Sequence, residues 1–200
     1  MTAGYQLLRE AVESLTPLTE SDWQMAQPGL RFTAVRKGEC FIEAGKTYDY
    51  IGFMLTGLMR AFYLVDGEEV NCGFFFEGHW PKAYHSFLTR TASRLWIRAL
   101  EDTNLLLISY DHLQRLFKES KNWERFGRIA SENAFIVAQV RAESLLLDTP
   151  ENRYLQLPTL HPDIMARVPL YHLASYIGVK QPSLSRIRKR LVESSHSKGL

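Results

Sequence analysis

Cysteine is scarce: Cys40 and Cys72 are the only two in 200 residues. Two thiols make neither a disulfide framework nor a four-cysteine metal or iron–sulfur site, so the chain reads as a reduced, cytoplasmic protein. No apolar run approaches the ~20 residues that span a bilayer. Met1 to Glu10 lacks a basic segment followed by an apolar run, so no secretory leader is expected. No His-x-His pair occurs, and His79 and His85 stand six apart, which argues against a cupin-type metalloenzyme. A haem would need an axial His or Cys, and nothing marks His79, His85 or Cys72 for that role. Neither an internal repeat nor a low-complexity stretch is visible, and no cofactor is expected.

With 46% hydrophobic and 23% charged residues, the composition is that of an ordinary globular protein of one large or two small domains. The net charge of +2 hides an asymmetry. From Lys180 onward there are six basic residues and one acid, Glu193, giving +5 and leaving −3 for the rest. A basic end on a slightly acidic body suits a polyanion. Within that end, Ile177 to Leu191 reads as a turn at Gly178 followed by a basic helix with Pro182 in its first turn. Leu184, Ile187 and Leu191 give that helix one apolar face, and Ser183, Arg186, Lys189 and Arg190 fall away from it. Leu170 to Ile177 is a second short amphipathic pattern, so the pair reads as helix, glycine turn, helix. A merely solvated basic helix would explain the charge, but not the turn and the apolar spacing together.

The chain begins with two short helical patterns, Tyr5 to Ser14 and Thr19 to Ala26, the second capped by Thr19. Pro17 ends the first, and Pro28-Gly29 breaks the pattern after the second. From Leu30 to Ser109 strand-like runs alternate with Lys37-Gly38, Ala44-Gly45, Thr56-Gly57 and Asp66-Gly67, which predicts a β-sandwich or barrel. Asp66-Gly67 is a hairpin signal. Glu77 to Arg94 interrupts the strands with aromatic and histidine residues, which suits either a ligand pocket or a cap over the barrel. Asn122 to Leu147 is a long helix in which Phe126, Ala130, Asn133, Val137, Val140, Ser144 and Leu147 are spaced as a heptad seam, widened by Ile129 and Ile136. The seam serves a homodimer, or packs on the chain's own barrel. Asp148 to Glu151 stops that helix, and Asn152 to Leu160 forms another.

Three runs, 151–157, 168–179 and 183–191, are similar to the bacterial Crp/Fnr family of transcription regulators, and the resemblance covers nearly the whole length. It implies an α+β fold: an N-terminal β-roll of the cyclic nucleotide-binding type (a jelly-roll-like double-stranded β-helix), a long dimerisation helix and a C-terminal winged helix-turn-helix. The expected divisions are a β-roll sensor over 1–120, the dimerisation helix over 121–148 and the DNA-binding domain over 149–200. Only nine residues follow Leu191, so the wing is expected to be reduced or absent.

The resemblance also assigns roles. Gln181, Ser183 and Arg186 become base readers, with Arg186 suited to guanine O6 and N7. Pro182 stands where the best-known members carry a cytosine-reading Glu, so base preference differs. Tyr171, His172, Lys180, Ser185, Arg188 and Lys189 become phosphate contacts. The partners implied are double-stranded DNA, a second copy of the chain, RNA polymerase and a small-molecule effector. In cAMP-binding members a Gly-Glu pair holds the ribose, and an Arg-Ser pair holds the phosphate. The corresponding places here hold Lys82-Ala83 and Ser93-Arg94. The carboxylate is missing and the arginine is displaced by one residue, which on a strand turns it to the other face. Trp80, Lys82, Tyr84, Ser93 and Arg94 remain as candidate effector-pocket residues for something other than cAMP. The competing functions are a cupin-like enzyme and an interaction module that does not bind DNA.

Overall fold

The glycine-punctuated runs fold into two antiparallel sheets. A computed structural model describes Thr2–Ser197. Helices α1 (Thr2–Glu13) and α2 (Glu20–Ala26) precede β1 (Leu30–Val35), β2 (Cys40–Ile42), β3 (Tyr50–Thr56), β4 (Met59–Val65) and β5 (Glu68–Phe75). Then come α3 (Tyr84–Thr89), β6 (Trp96–Ala99), β7 (Thr103–Ser109), α4 (Tyr110–Glu119) and α5 (Lys121–Leu147). The C-terminal part is helical: α6 (Pro150–Leu155), α7 (Leu157–Leu160), α8 (Ile164–Arg167), α9 (Leu170–Tyr176) and α10 (Gln181–Ser197). One sheet has the order β1-β7-β3 and the other β2-β6-β4-β5. At the β4–β5 turn Asp66 and Gly67 both take positive φ, 51° and 81°, the type I′ geometry whose twist matches the strands it joins. Among the described residues no helix is long and apolar enough to cross a membrane.

By contacts the chain forms two compact units: residues 1–63 with 73–137, and 64–72 with 138–200. The tip of the β4–β5 hairpin therefore belongs with the C-terminal helices, and α5 lends residues to both units.

In the first unit, β3 and β7 pair in the register Ile51↔Ile108 and Phe53↔Leu106. These four side chains form one face, on which Leu8, Val12, Trp23, Leu113, Leu116, Trp123 and Phe126 pack. Each such buried side chain contributes about 1.5–3 kcal/mol. Trp80 lies against Phe53 and Phe126, with ring centroids 4.9 and 5.7 Å away, and so fastens the start of α5 to the sheet. Phe126, expected at the head of the dimer seam, is thus a core residue, and Ile129 and Ala130 are half-buried. Tertiary packing claims the first turns of the seam because Trp80 and Phe53 fill the space a partner helix would need. The helix expected over Asn152 to Leu160 is two helices, since Pro158 removes a backbone donor just after Gln156.

The helices of this unit are joined through a buried carboxylate. Thr19 caps α2, and Asp22 answers it by accepting from the Thr19 N–H at 2.8 Å, a capping box. Asp22 also accepts from Ser120 Oγ at 2.5 Å and Asn122 Nδ2 at 2.7 Å, at the junction of α4 and α5. Burial alone would raise its pKa, but the hydrogen bonds from Ser120, Asn122 and Thr19 hold the carboxyl well below the ordinary carboxylate range. The stabilisation is therefore present above the unfolded-state value near ~4 and is lost as pH falls below it toward the folded value. Asp22→Asn should cost about 2 kcal/mol at neutral pH. Urea unfolding at neutral and acid pH checks this, and the gap from wild type should shrink in acid.

Candidate nucleic-acid interface

The second unit presents α10 on a frame of backbone hydrogen bonds. At the end of α9 the chain reverses through Gly178, whose φ of +79° is strained for any residue with a Cβ. Val179 N–H returns to Ala174 O at 3.0 Å, closing the turn. Leu173, Ala174, Ile177, Leu184 and Ile187 are buried and hold α9 against α10. The expected helix, glycine turn and helix are therefore present at the expected residues.

The frame depends on two arginines that the sequence pattern did not single out. Arg153 donates Nε–H to Ile177 O at 2.8 Å, and its Nη1 donates to Ser144 O at 3.2 Å and Asp148 O at 2.5 Å. One planar fork thereby satisfies carbonyls at the end of α5 and at the helix-turn-helix bend. Arg141 donates to Tyr176 O and lies over the Tyr176 ring, 3.8 Å from its centroid. Both side chains are half-buried. The only prior signal was an arginine placed where helix ends leave carbonyls unpaired.

The outer side of α10 is strongly basic. Gln181, Ser185, Arg186, Arg188 and Lys189 are exposed, and Ser183 is half-buried. Ser185, Arg188, Lys189 and Glu193 line an open depression along the helix. Tyr171 is exposed on α9, and Lys180 is exposed at the turn. Arg190 turns away toward Glu151, 3.7 Å distant. His172 corrects an expectation. It is 5% exposed, and the Asn71 side-chain amide lies 3.2 Å from its Nδ1, so it is not presented as a phosphate contact. Its place on the inner face of α9 puts it against the β4–β5 tip instead. A wing would lie beyond Ser197, outside the described residues.

The five candidate effector residues do not form one cluster. Trp80 is committed to packing between Phe53 and Phe126. Lys82 lies near it, half-buried, with Nζ 3.4 Å from Trp80 O and 5.2 Å from the Tyr84 ring centroid. Burial pushes its ammonium down to about 8. Tyr84 OH meets Ser131 Oγ on α5 at 2.7 Å. Ser93 is buried elsewhere, with its N–H on Lys46 O and its Oγ accepting from Leu95 N–H. Arg94 is exposed, and no hydrogen bond or ring contact joins it or Ser93 to Lys82 or Tyr84. Arg94 lies in the loop before β6, where its side chain is in solvent.

Comparison with known proteins bears on both units. Residues 32–120 match the cyclic nucleotide-binding domain family. No curated protein is similar enough in sequence to match. Among solved structures, FixK2 from Bradyrhizobium japonicum superposes with a TM-score of 0.68 at 18% identity, covering 85% of this chain and 86% of that one. A chain described as a Crp/Fnr-family transcriptional regulator from Eubacterium rectale gives 0.67 at 16% identity, with coverage of 88% and 85%. The c-di-GMP-responsive global regulator CLP of Xanthomonas campestris gives 0.66 at 18% identity, covering 88% and 93%. At these identities the likeness is one of fold.

Arg153→Ala should destabilise the chain by about 2–3 kcal/mol, because the partly buried Asp148 and Ile177 carbonyls lose the guanidinium that donates to them. Urea unfolding reads the loss, and faster hydrogen exchange should be confined to α6, α9 and α10. Arg153→Lys should recover less than half, since an ammonium cannot span three carbonyls as a planar fork does.

Proposed function

With a cyclic nucleotide-binding domain over residues 32–120 and the fold of Crp/Fnr-family transcription regulators, the chain is one that we propose binds DNA as a homodimer and regulates transcription from an inverted-repeat site. The observation that carries this reading is the exposed basic row of α10, displayed by a glycine turn that Arg153 braces. Gln181, Ser183 and Arg186 read base edges, and Tyr171, Ser185, Arg188 and Lys189 meet phosphates. A two-fold dimer sets its recognition helices about 34 Å apart, one turn of DNA.

The homodimer is supported by the later part of α5. Ile136, Val137, Val140 and Leu147 of the expected seam are exposed apolar residues, and so are Phe135, Leu145 and Leu146. Ile136, Val137, Val140 and Leu147 share one side of the helix, and an exposed apolar row of this kind is costly in a monomer and ordinary in a dimer interface. Asn133 is exposed on the same helix and suits a register-fixing polar pair.

The β-roll serves as sensor or scaffold. Ala83 in place of a ribose-binding carboxylate, and Arg94 in solvent, both speak against cAMP as the signal. RNA polymerase is the implied downstream partner of a regulator that activates.

Arg186→Ala should lose about 1–3 kcal/mol on a selected site and almost nothing on unrelated DNA. Equal loss on every sequence in a filter-binding or anisotropy assay would remove Arg186 from base reading. Val140→Glu should convert the dimer to a monomer in analytical ultracentrifugation and abolish inverted-repeat binding, since a carboxylate in the seam faces its own copy. A dimer that persists in this variant sinks the α5 interface.

A further inference from the structure

The tip of the β4–β5 hairpin is bonded to the helix-turn-helix within the second unit. Asn71 N–H donates to Ser175 Oγ at 3.0 Å, and Ser175 Oγ donates to Glu69 O at 3.1 Å. The Asn71 amide nitrogen lies 3.2 Å from His172 Nδ1 and 3.5 Å from His172 O, so it faces two acceptors on α9. Asn71 is 3% exposed and His172 5%. Three residues before Asn71, the Glu68 carboxylate accepts from Lys180 Nζ at 2.6 Å. Among the described residues Glu68 is the only ionic partner of Lys180. The same pairing holds the Glu68 carboxyl below its ordinary range.

We propose that the hairpin tip is a built-in counter-anion: Glu68, held in place by the buried Asn71 contacts to α9, occupies on Lys180 the position a DNA phosphate would take. The inference rests on the DNA-binding reading above. An exposed ion pair between two free side chains is worth little, because orienting both offsets the attraction. Here the strand carrying the carboxylate is already fixed by Asn71 three residues away, so part of that ordering is already in place. Lys180 is neutralised by its own chain and releases no counterion on binding DNA. Removing Glu68 returns it to the interface as one more phosphate contact.

The test measures affinity of the full chain for a fluorescent duplex of unrelated sequence across a salt series. Wild type is compared with Glu68→Gln, Lys180→Gln and the double variant, with a thermal melt of each. Both residues are exposed, so the variants should fold. Glu68→Gln should steepen the slope of log affinity against log salt by about 0.9, which extrapolated from ~1 M is about eightfold tighter binding at ~0.1 M salt. Lys180→Gln should leave the wild-type slope unchanged, and the double variant should match Lys180→Gln. Asn71→Ala, if its melt shows a folded protein, should steepen the slope as Glu68→Gln does. A flatter slope in Lys180→Gln overturns the proposal, since Lys180 would then already contact DNA. So does a steeper slope from Glu68→Gln that persists without Lys180, since the effect would then be one of general charge. Absence of salt-dependent binding in wild type and every variant instead removes the DNA-binding reading on which the counter-anion rests.

Discussion

Arg153 gathers three backbone carbonyls: those of Asp148 and Ile177, at a helix end and a left-handed turn, and that of Ser144, which also accepts from Asp148 N–H at 3.1 Å. A buried carbonyl without a donor costs about 1–3 kcal/mol, and one guanidinium answers three at once. The turn at Gly178 can therefore be tight although it leaves the Ile177 carbonyl outside the helix. The orientation of α10, and with it the direction of its basic row, follows from that satisfaction. Arg141 repeats the device one turn away by holding Tyr176 through its carbonyl and its ring. A cation stacked on an aromatic face adds about 0.5–2 kcal/mol when partly desolvated.

Helix α5 shows one sequence pattern put to two uses. Its heptad spacing is continuous, yet Trp123 and Phe126 are buried against Trp80 and the sheet, while Phe135 to Leu147 carries exposed apolar side chains. The periodicity tells which side of the helix is apolar. It does not tell what covers that side, because core and interface both use the same residues. The partner is decided by what else lies nearby. Here Trp80 on the segment after β5 meets the first turns.

The sheets of the first unit and the loops that carry its candidate effector residues obey different constraints. Lys82 sits half-buried beside Trp80 and Tyr84 with a depressed pKa, and Ser93 is spent on the loop around Lys46. The identities of Lys82 and Ser93 cost the strands nothing, since these residues lie in the connection before α3 and in the loop before β6. A sheet core and a ligand loop are separable in this way because main-chain pairing and apolar packing fix the first, and only side-chain chemistry fixes the second.

Much of the architecture was legible in the residues. Thr19 announced a capped helix, Asp66-Gly67 a hairpin, and Gly178 between two amphipathic runs a helix-turn-helix. These are local rules, set by φ preference, side-chain capping and period. They succeed because each is satisfied within a few residues of chain. Assignments that needed distant partners fared differently. His172 was a phosphate contact by resemblance to the family, but Asn71, 101 residues away in sequence, buries it. Phe126 looked like seam, but Phe53 and Trp80 take it into the core. Arg153 and Arg141 stood in no pattern, but carbonyls elsewhere in the chain give them their work. The sequence by itself determined the elements, their order and the basic face of α10. Only the tertiary structure decided which polar and apolar side chains were already engaged, because engagement depends on groups that the chain brings together by folding and not by proximity in sequence.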